Sequence, residues 1–353
     1  HSRTIPQRKR IDFKKSEGMT RAQHHALSAW CTKNRHSRTI PRRKRIDLKK
    51  SEGMIRAKHH ALSAWCTKNR RRRTTLRQER KTLKMSKIKL WPTTPLYDPA
   101  LGQPEPYLEP FLTEGSDSCM IVCAGGGYID WCDYEAYPIA EWLTQIGVNA
   151  FALHYRLADY HAPCMLADIQ RAIRLIRSRA SEFGIDPQKI GAIGFSAGGH
   201  LVSSACTHTQ NGLEQASDEI DGVDCRLNAA VLCYPVITMG QGGHDGSRIA
   251  LLGENATEEQ IASYSSQLQV KPGFTPPCFL VHTLQDGLVD PFYNTVAFAE
   301  ALTRAEIPCE THLFAYGRHG VALAREEEYR DGVGQWTALC QTWLKTLGFI
   351  QEK

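Results

Sequence analysis

The chain has 353 residues, 42% of them hydrophobic and 23% charged, with a formal net charge of +7. That balance excludes a wholly disordered polyelectrolyte, and the lack of any apolar run near 18 residues excludes a membrane-spanning helix. Twelve cysteines occur without a Cys-X-X-Cys pair, so neither zinc nor a disulfide framework is indicated, and small reduced core residues of a cytoplasmic protein are expected.

Residues 1–35 and 36–70 form a tandem repeat that differs only at Gln7/Arg42, Phe13/Leu48, Thr20/Ile55 and Gln23/Lys58. The first 84 residues hold 27 Lys and Arg against 5 Asp and Glu, and the remainder 17 against 32. A basic leader thus precedes an acidic domain. Two repeats with so few periodic apolar residues bury little, so residues 1–84 are expected to be disordered. One reading makes the leader a tail for nucleic acid or another anionic surface. The other, preferred because no methionine opens the chain, makes it adventitious sequence ahead of a natural start at Met85. Residues 85–353 then form one domain with room for a sizeable core.

Within that domain Met120–Cys123 reads as a buried strand, followed at once by Ala124-Gly125-Gly126-Gly127-Tyr128. Glycines after a strand let backbone amides face a cleft, and Gly126 and Gly127 are the candidates to hold a developing oxyanion. A phosphate loop is the competing reading, but neither Gly-X-X-X-X-Gly-Lys-[Ser/Thr] nor Gly-X-Gly-X-X-Gly is present. The aromatic residues Tyr128, Trp131, Tyr134 and Tyr137 either wall a pocket or pack a helix. Val148–Tyr155 predicts a second buried strand, and Cys164–Phe183 a helix with Leu166, Ile169, Ile173 and Ile176 on one face. Arg171, Arg174, Arg177 and Arg179 are read as its solvated face rather than a binding stripe. Arg156 and Asp168 are read as structural polar groups near the cleft.

Lys189–Phe195 is a short apolar strand that runs into Gly194-Phe195-Ser196-Ala197-Gly198 and then into a helix. Gly-X-Ser-X-Gly in that context is a nucleophile elbow: the glycines permit a sharp turn that exposes Ser196, and the Ala197 amide becomes a third oxyanion donor. A serine hydroxyl needs a base, and the base needs a carboxylate to orient it. After the strand Phe279–Thr283 comes Asp286, and after Cys309–Phe314 comes His319 between glycines, in the order Ser, Asp, His. Asp290, the rival acid, precedes Pro291 where an N-cap is the ordinary role, so Asp286 is preferred. Between Ile237 and Pro276 lies a polar, glycine-rich stretch that is the candidate mobile cap over the acyl pocket.

With these motifs the chain resembles the α/β-hydrolase superfamily, and within it hormone-sensitive-lipase-like carboxylesterases and bacterial acetyl xylan or feruloyl esterases. The likeness covers roughly residues 90–350 and rests on Gly-Gly-Gly-Tyr, Tyr155-Arg156-Leu157-Ala158, Gly-Phe-Ser-Ala-Gly-Gly, His-Thr-X-X-Asp and Gly-Arg-His-Gly. It implies an α/β fold, a mostly parallel central sheet with helices on both faces, and a serine carboxylesterase acting on short acyl esters, acetyl first, of a small-molecule or carbohydrate alcohol. It implies no metal or cofactor. Ala124 stands where lipases of this type carry histidine, which points toward the polysaccharide-esterase branch, and Asp159 stands where many relatives have proline. A lipase, a peptidase or amidase, and a non-enzymatic ligand-binding relative stay open as alternatives, as does the oligomeric state.

Overall fold

The computed structural model describes residues 86–212, 216 and 218–351. The repeats and the basic leader lie outside the described residues. Among the described residues eight strands are present: β1 (Ile88–Lys89), β2 (Tyr107–Phe111), β3 (Cys119–Cys123), β4 (Asn149–His154), β5 (Ile190–Phe195), β6 (Ala229–Cys233), β7 (Cys278–Thr283) and β8 (Cys309–Phe314). The α-helices among the described residues are α1 (Tyr137–Gln145), α2 (Cys164–Ser178), α3 (Ala180–Phe183), α4 (Ala197–Thr207), α5 (Asp245–Leu252), α6 (Glu258–Ser263), α7 (Ala297–Arg304) and α8 (Trp336–Thr346). The strands form one sheet in the order β1-β2-β4-β3-β5-β6-β7-β8, antiparallel only where β2 meets β1 and β4. The expected α/β architecture is therefore present.

Side chains of a strand point alternately to opposite faces, and the core divides accordingly. Ile121, Phe151, Ala192, Leu232 and Leu280 face α2, α4 and α7, while Met120, Val122, Ile193, Val231 and Phe279 face α1 and α8. Helices on both faces explain why the central strands read as unbroken apolar runs. The ten described cysteines are free and nine are buried, as expected of small apolar core residues.

Of the four arginines, Arg179 at the end of α2 stays partly exposed and pairs with Glu182, but Arg171, Arg174 and Arg177 are not a solvated face. Arg171 and Arg174 are buried, and together with Arg177 they reach under the segment that leads to β6. Arg171 pairs with Asp218 and, at 2.9 Å, with Asp221; Arg174 donates to the Val223 carbonyl; Arg177 donates to the carbonyls of Asp224 at 2.9 Å and Arg226 at 2.6 Å. Amphipathic spacing separates apolar from polar faces, but it does not tell water from a covering segment rich in carbonyls and aspartates. Arg156 is structural as read: its guanidinium meets Asp168 at 2.7 Å and the Pro95 carbonyl at 2.6 Å, with both side chains buried.

The 237–276 segment contains α5 and α6 and is tied to the rest of the domain along its length. Asn294 accepts from the Ile237 amide at 2.8 Å, Ala162 donates to the Leu251 carbonyl at 2.7 Å, and Ser203 meets Ser266 at 2.8 Å.

Parallel strands bring the loops after β3, β5, β6, β7 and β8 to one edge of the sheet. The β5–α4 crossing is one of its tight points. A Cβ on Gly198 would stand 2.2 Å from the Cys123 carbonyl oxygen and 2.5 Å from that of Ala124. In an open helix Gly→Ala gains about 1 kcal/mol, but here the overlap is with backbone that cannot swing aside. Gly198→Ala is expected to lose on the order of 2 kcal/mol or more, read as a lower denaturant midpoint with unchanged slope. A raised midpoint would contradict the close crossing.

Candidate active site

Ser196 sits between β5 and α4 with φ 52° and ψ −119°, a region that non-glycine residues rarely occupy. The conformation is held from both sides: the Ser196 amide donates to the Cys233 carbonyl at 3.1 Å, and the Ser196 carbonyl accepts from Val236 at 3.1 Å and His200 at 3.1 Å. Strain of this kind persists only where surrounding bonds over-determine it.

The structure brings Ser196, His319 and Asp286 together. His319 Nε2 lies 2.8 Å from Ser196 Oγ, and His319 Nδ1 lies 2.6 Å from Asp286 Oδ2. An ionised carboxylate only accepts, so Nδ1 carries the ring proton and Nε2 is free to accept from the serine. Asp286 is nearly saturated with donors. Its Oδ1 accepts from the amides of Leu288 and Val289, each at 2.9 Å, and its Oδ2 accepts from His282 as well as His319. Burial alone would raise this carboxyl, but the bonds from His282 and His319, the charge of His319 and the Val289 amide hold it well below the usual carboxylate range. Asp290 instead accepts from the amides of Phe292 at 2.7 Å and Tyr293 at 3.2 Å, the helix-capping role expected of it.

Gly126 and Gly127 stand on the loop after β3, and Ala197 follows Ser196 at the start of α4. Among the described residues no group accepts from their amides. Gly125, the first glycine of the run, is different: its amide donates to Glu135 Oε2 at 2.8 Å, and a Cβ there would come within 2.9 Å of the Ser196 Cβ. Gly126 and Gly127 have φ of 128° and 66°, where L side chains are strained. Of the aromatic group after the loop, Tyr128 is core rather than pocket wall: it is fully buried and its hydroxyl meets His200 Nδ1 at 2.7 Å.

Two site residues have roles that the sequence alone does not assign. His282, fully buried, sits behind Asp286 with Nε2 3.0 Å from Oδ2 and Nδ1 2.7 Å from the Thr295 hydroxyl. Its sequence signal is the first position of the His-Thr-X-X-Asp motif, four residues before Asp286. Glu135, also buried, lies in a short turn after the glycine loop and accepts from the Tyr234 hydroxyl at 2.7 Å as well as from Gly125. A carboxylate inside the aromatic run Tyr134-Glu135-Ala136-Tyr137 is the hint that could have found it.

The sheet order, the elbow at the end of β5 and the loops after β7 and β8 define the α/β-hydrolase class. Residues 108–302 match the family BD-FAE, and the chain belongs to that family. It is similar to Endo-1,4-beta-xylanase B of Butyrivibrio fibrisolvens, 36% identical over 230 residues that make up 64% of this chain and 35% of that protein. It is also similar to an acetylxylan esterase of Xylanibacter ruminicola, 30% identical over 247 residues, 69% of this chain and 48% of that one. The chain therefore spans only about a third to a half of the length of these two relatives. Among solved structures, an acetyl ester-xyloside bifunctional hydrolase from Caldicellulosiruptor lactoaceticus superposes with a TM-score of 0.72 at 42% identity, covering 76% of this chain and 98% of that one. The resemblance to α/β-hydrolase carboxylesterases is borne out. No described helix is long and apolar enough to cross a membrane.

Two buried histidines near the site give the domain an acid sensitivity. Burial pushes His200 down to about 4, against the bond to the Tyr264 carbonyl, and burial together with the charge of Lys87 pushes His154 down to about 4. Unfolding frees both to take protons at their ordinary value near 6.5, so their contribution is whole above that pH and is lost progressively as pH falls toward 4. The loss is at most about 3 kcal/mol for each histidine. Denaturant titrations across that range should show stability falling on acidification, and His200→Gln should flatten the slope. A pH-independent midpoint would contradict this.

Proposed function

We propose that this chain is a serine carboxylesterase that removes short acyl groups, acetyl above all, from carbohydrate alcohols by way of an acyl-enzyme. The observation that carries the reading is the hydrogen-bonded line from Ser196 Oγ through His319 to Asp286, at 2.8 and 2.6 Å. His319 takes the serine proton as Oγ attacks the ester carbonyl, then returns it to the leaving alcohol. Water, deprotonated by the same ring, releases the acid and restores the serine. Asp286 keeps the ring in its Nδ1–H tautomer and balances the imidazolium charge.

The developing oxyanion needs donors that are not already engaged. The free amides of Gly126, Gly127 and Ala197 suit that role, whereas Gly125 is committed to Glu135. Each such donor contributes on the order of 3 kcal/mol to the barrier. No step calls on a metal or cofactor. The 237–276 segment, which leaves β6 on the edge that carries Ser196, is assigned as the cap over the acyl pocket. The names of the relatives, acetylxylan esterase and acetyl ester-xyloside hydrolase, support acetylated plant polysaccharide fragments as the substrate class.

Ser196→Ala and His319→Ala should each lower kcat by on the order of 10⁴ or more, with little further loss in the double variant, because the pair acts as a unit. Asp286→Asn should be severe and Asp290→Asn mild; the reverse order would reassign the acid. On nitrophenyl esters, acetyl and propionyl should exceed octanoyl in kcat/KM, and acetylated xylo-oligosaccharide should release acetate. Preference for long chains would favour a lipase, and turnover of a peptide amide a peptidase.

A further inference from the structure

Three loops of the site meet at one buried carboxyl. Glu135, 1% exposed, accepts from the Gly125 amide on the glycine loop at 2.8 Å and from the Tyr234 hydroxyl on the loop after β6 at 2.7 Å. The Tyr234 oxygen accepts in turn from the Ala322 amide at 3.0 Å, three residues beyond His319. The Tyr234 ring stands edge-on to the His319 imidazole with centroids 5.0 Å apart. Both ends of this link are strained: Tyr234 has φ 38° and Ala322 has φ 48°. Backbone in that region needs a specific restraint, and the hydrogen bonds through Tyr234 supply it.

We propose that Glu135 is a positioning residue that locks the glycine loop to the histidine loop through Tyr234 and adds a second buried negative charge, beside Asp286, on the side of the His319 ring. The inference rests on the reading of Ser196, His319 and Asp286 as the catalytic relay. An ionised Glu135 satisfies every donor around it. A protonated one would have to place its own hydrogen against Tyr234, whose proton would then lose its acceptor. Burial is the largest influence and holds the Glu135 carboxyl above its ordinary value, while Tyr234, the attraction of His319, the Gly125 amide and Tyr134 act against it. The donor geometry is what favours the ionised form. Tyr155 and Cys233, buried nearby, are neutral neighbours whose thiol and phenol are pushed up by their own burial. Around His319 the remaining facing groups are Ser196, Asp286 and its loop neighbour Arg318, which also pairs with Glu326 at 3.5 Å.

The test compares pH profiles of kcat/KM for nitrophenyl acetate in four full-length proteins: wild type, Ser196→Ala, Glu135→Gln and Tyr234→Phe. Glu135→Gln keeps an acceptor for Gly125 but removes the charge. It should lower the plateau by on the order of 10-fold and move the acid limb to lower pH by roughly half a unit, since the imidazolium has lost a stabilising neighbour. Tyr234→Phe keeps the ring and the charge but cuts the link. It should lower kcat by a similar factor with KM little changed and the acid limb unmoved. A Glu135→Gln profile that superposes on wild type, or that falls without any movement of the acid limb, overturns the proposal. If Glu135→Gln does not fold, wild-type kcat in Tyr234→Phe overturns it alone. Full turnover in Ser196→Ala would instead remove the relay itself, so the two failures are distinguishable.

Discussion

The backbone of Ser196 is the constraint around which the site is organised. For residue 196 to turn at φ 52° between β5 and α4, the helix must start almost on top of the strand that precedes it and beside the end of β3. That contact leaves no room for a Cβ at Gly194 or Gly198 and little at Gly125. The glycine run is therefore as much a packing requirement as a source of amides. Because the strands from β3 to β8 are parallel, the same edge also receives the loops that carry Asp286 and His319. One tight crossing and one shared edge account for the assembly of residues that lie far apart in sequence.

How much of this could be read from the sequence depended on whether a residue's role is local. Ser196, Asp286 and His319 were legible because each follows a short apolar strand and the order of the three fits one fold. The roles of Glu135 and His282 were not, since a carboxylate among aromatic residues and a histidine at the end of an apolar strand suit ordinary packing equally well, and the partners Tyr234 and Thr295 that complete their bonding lie farther along the chain. The arginines of α2 show the opposite error. Their periodicity was read correctly as a polar face, but the aspartates and carbonyls of residues 218–226 that cover it come from a later part of the chain. The edge strand β1 and its neighbour β2 carry no such signal: β1 has two residues, and β2 (Tyr107–Phe111) contains a glutamate and a proline, which speak against a strand.

Several buried polar groups of the domain share one arrangement. Arg156 with Asp168, Arg171 with Asp218 and Asp221, and His200 with Tyr128 and the Tyr264 carbonyl all bury charge or polarity only where partners are already in place. Such groups add little net stability compared with apolar replacements, but losing one partner of a pair is costly. Their positions explain why they are kept: they fix the segments after β4, β5 and β6, from which the walls of the cleft emerge.

The crowding of Asp286 has a consequence for the motion of the imidazole. With amides on one oxygen and two histidines on the other, the carboxylate has no open direction into which a loosened partner could swing. A half-turn of the His319 ring about its Cβ–Cγ bond would put a carbon where Nδ1 now stands and strip a buried anion of its shortest bond, at a cost of about 1.5–3 kcal/mol. The ring is thus oriented before any ester arrives. The entropy of aiming it is spent once, when the chain folds, and not again at each turnover.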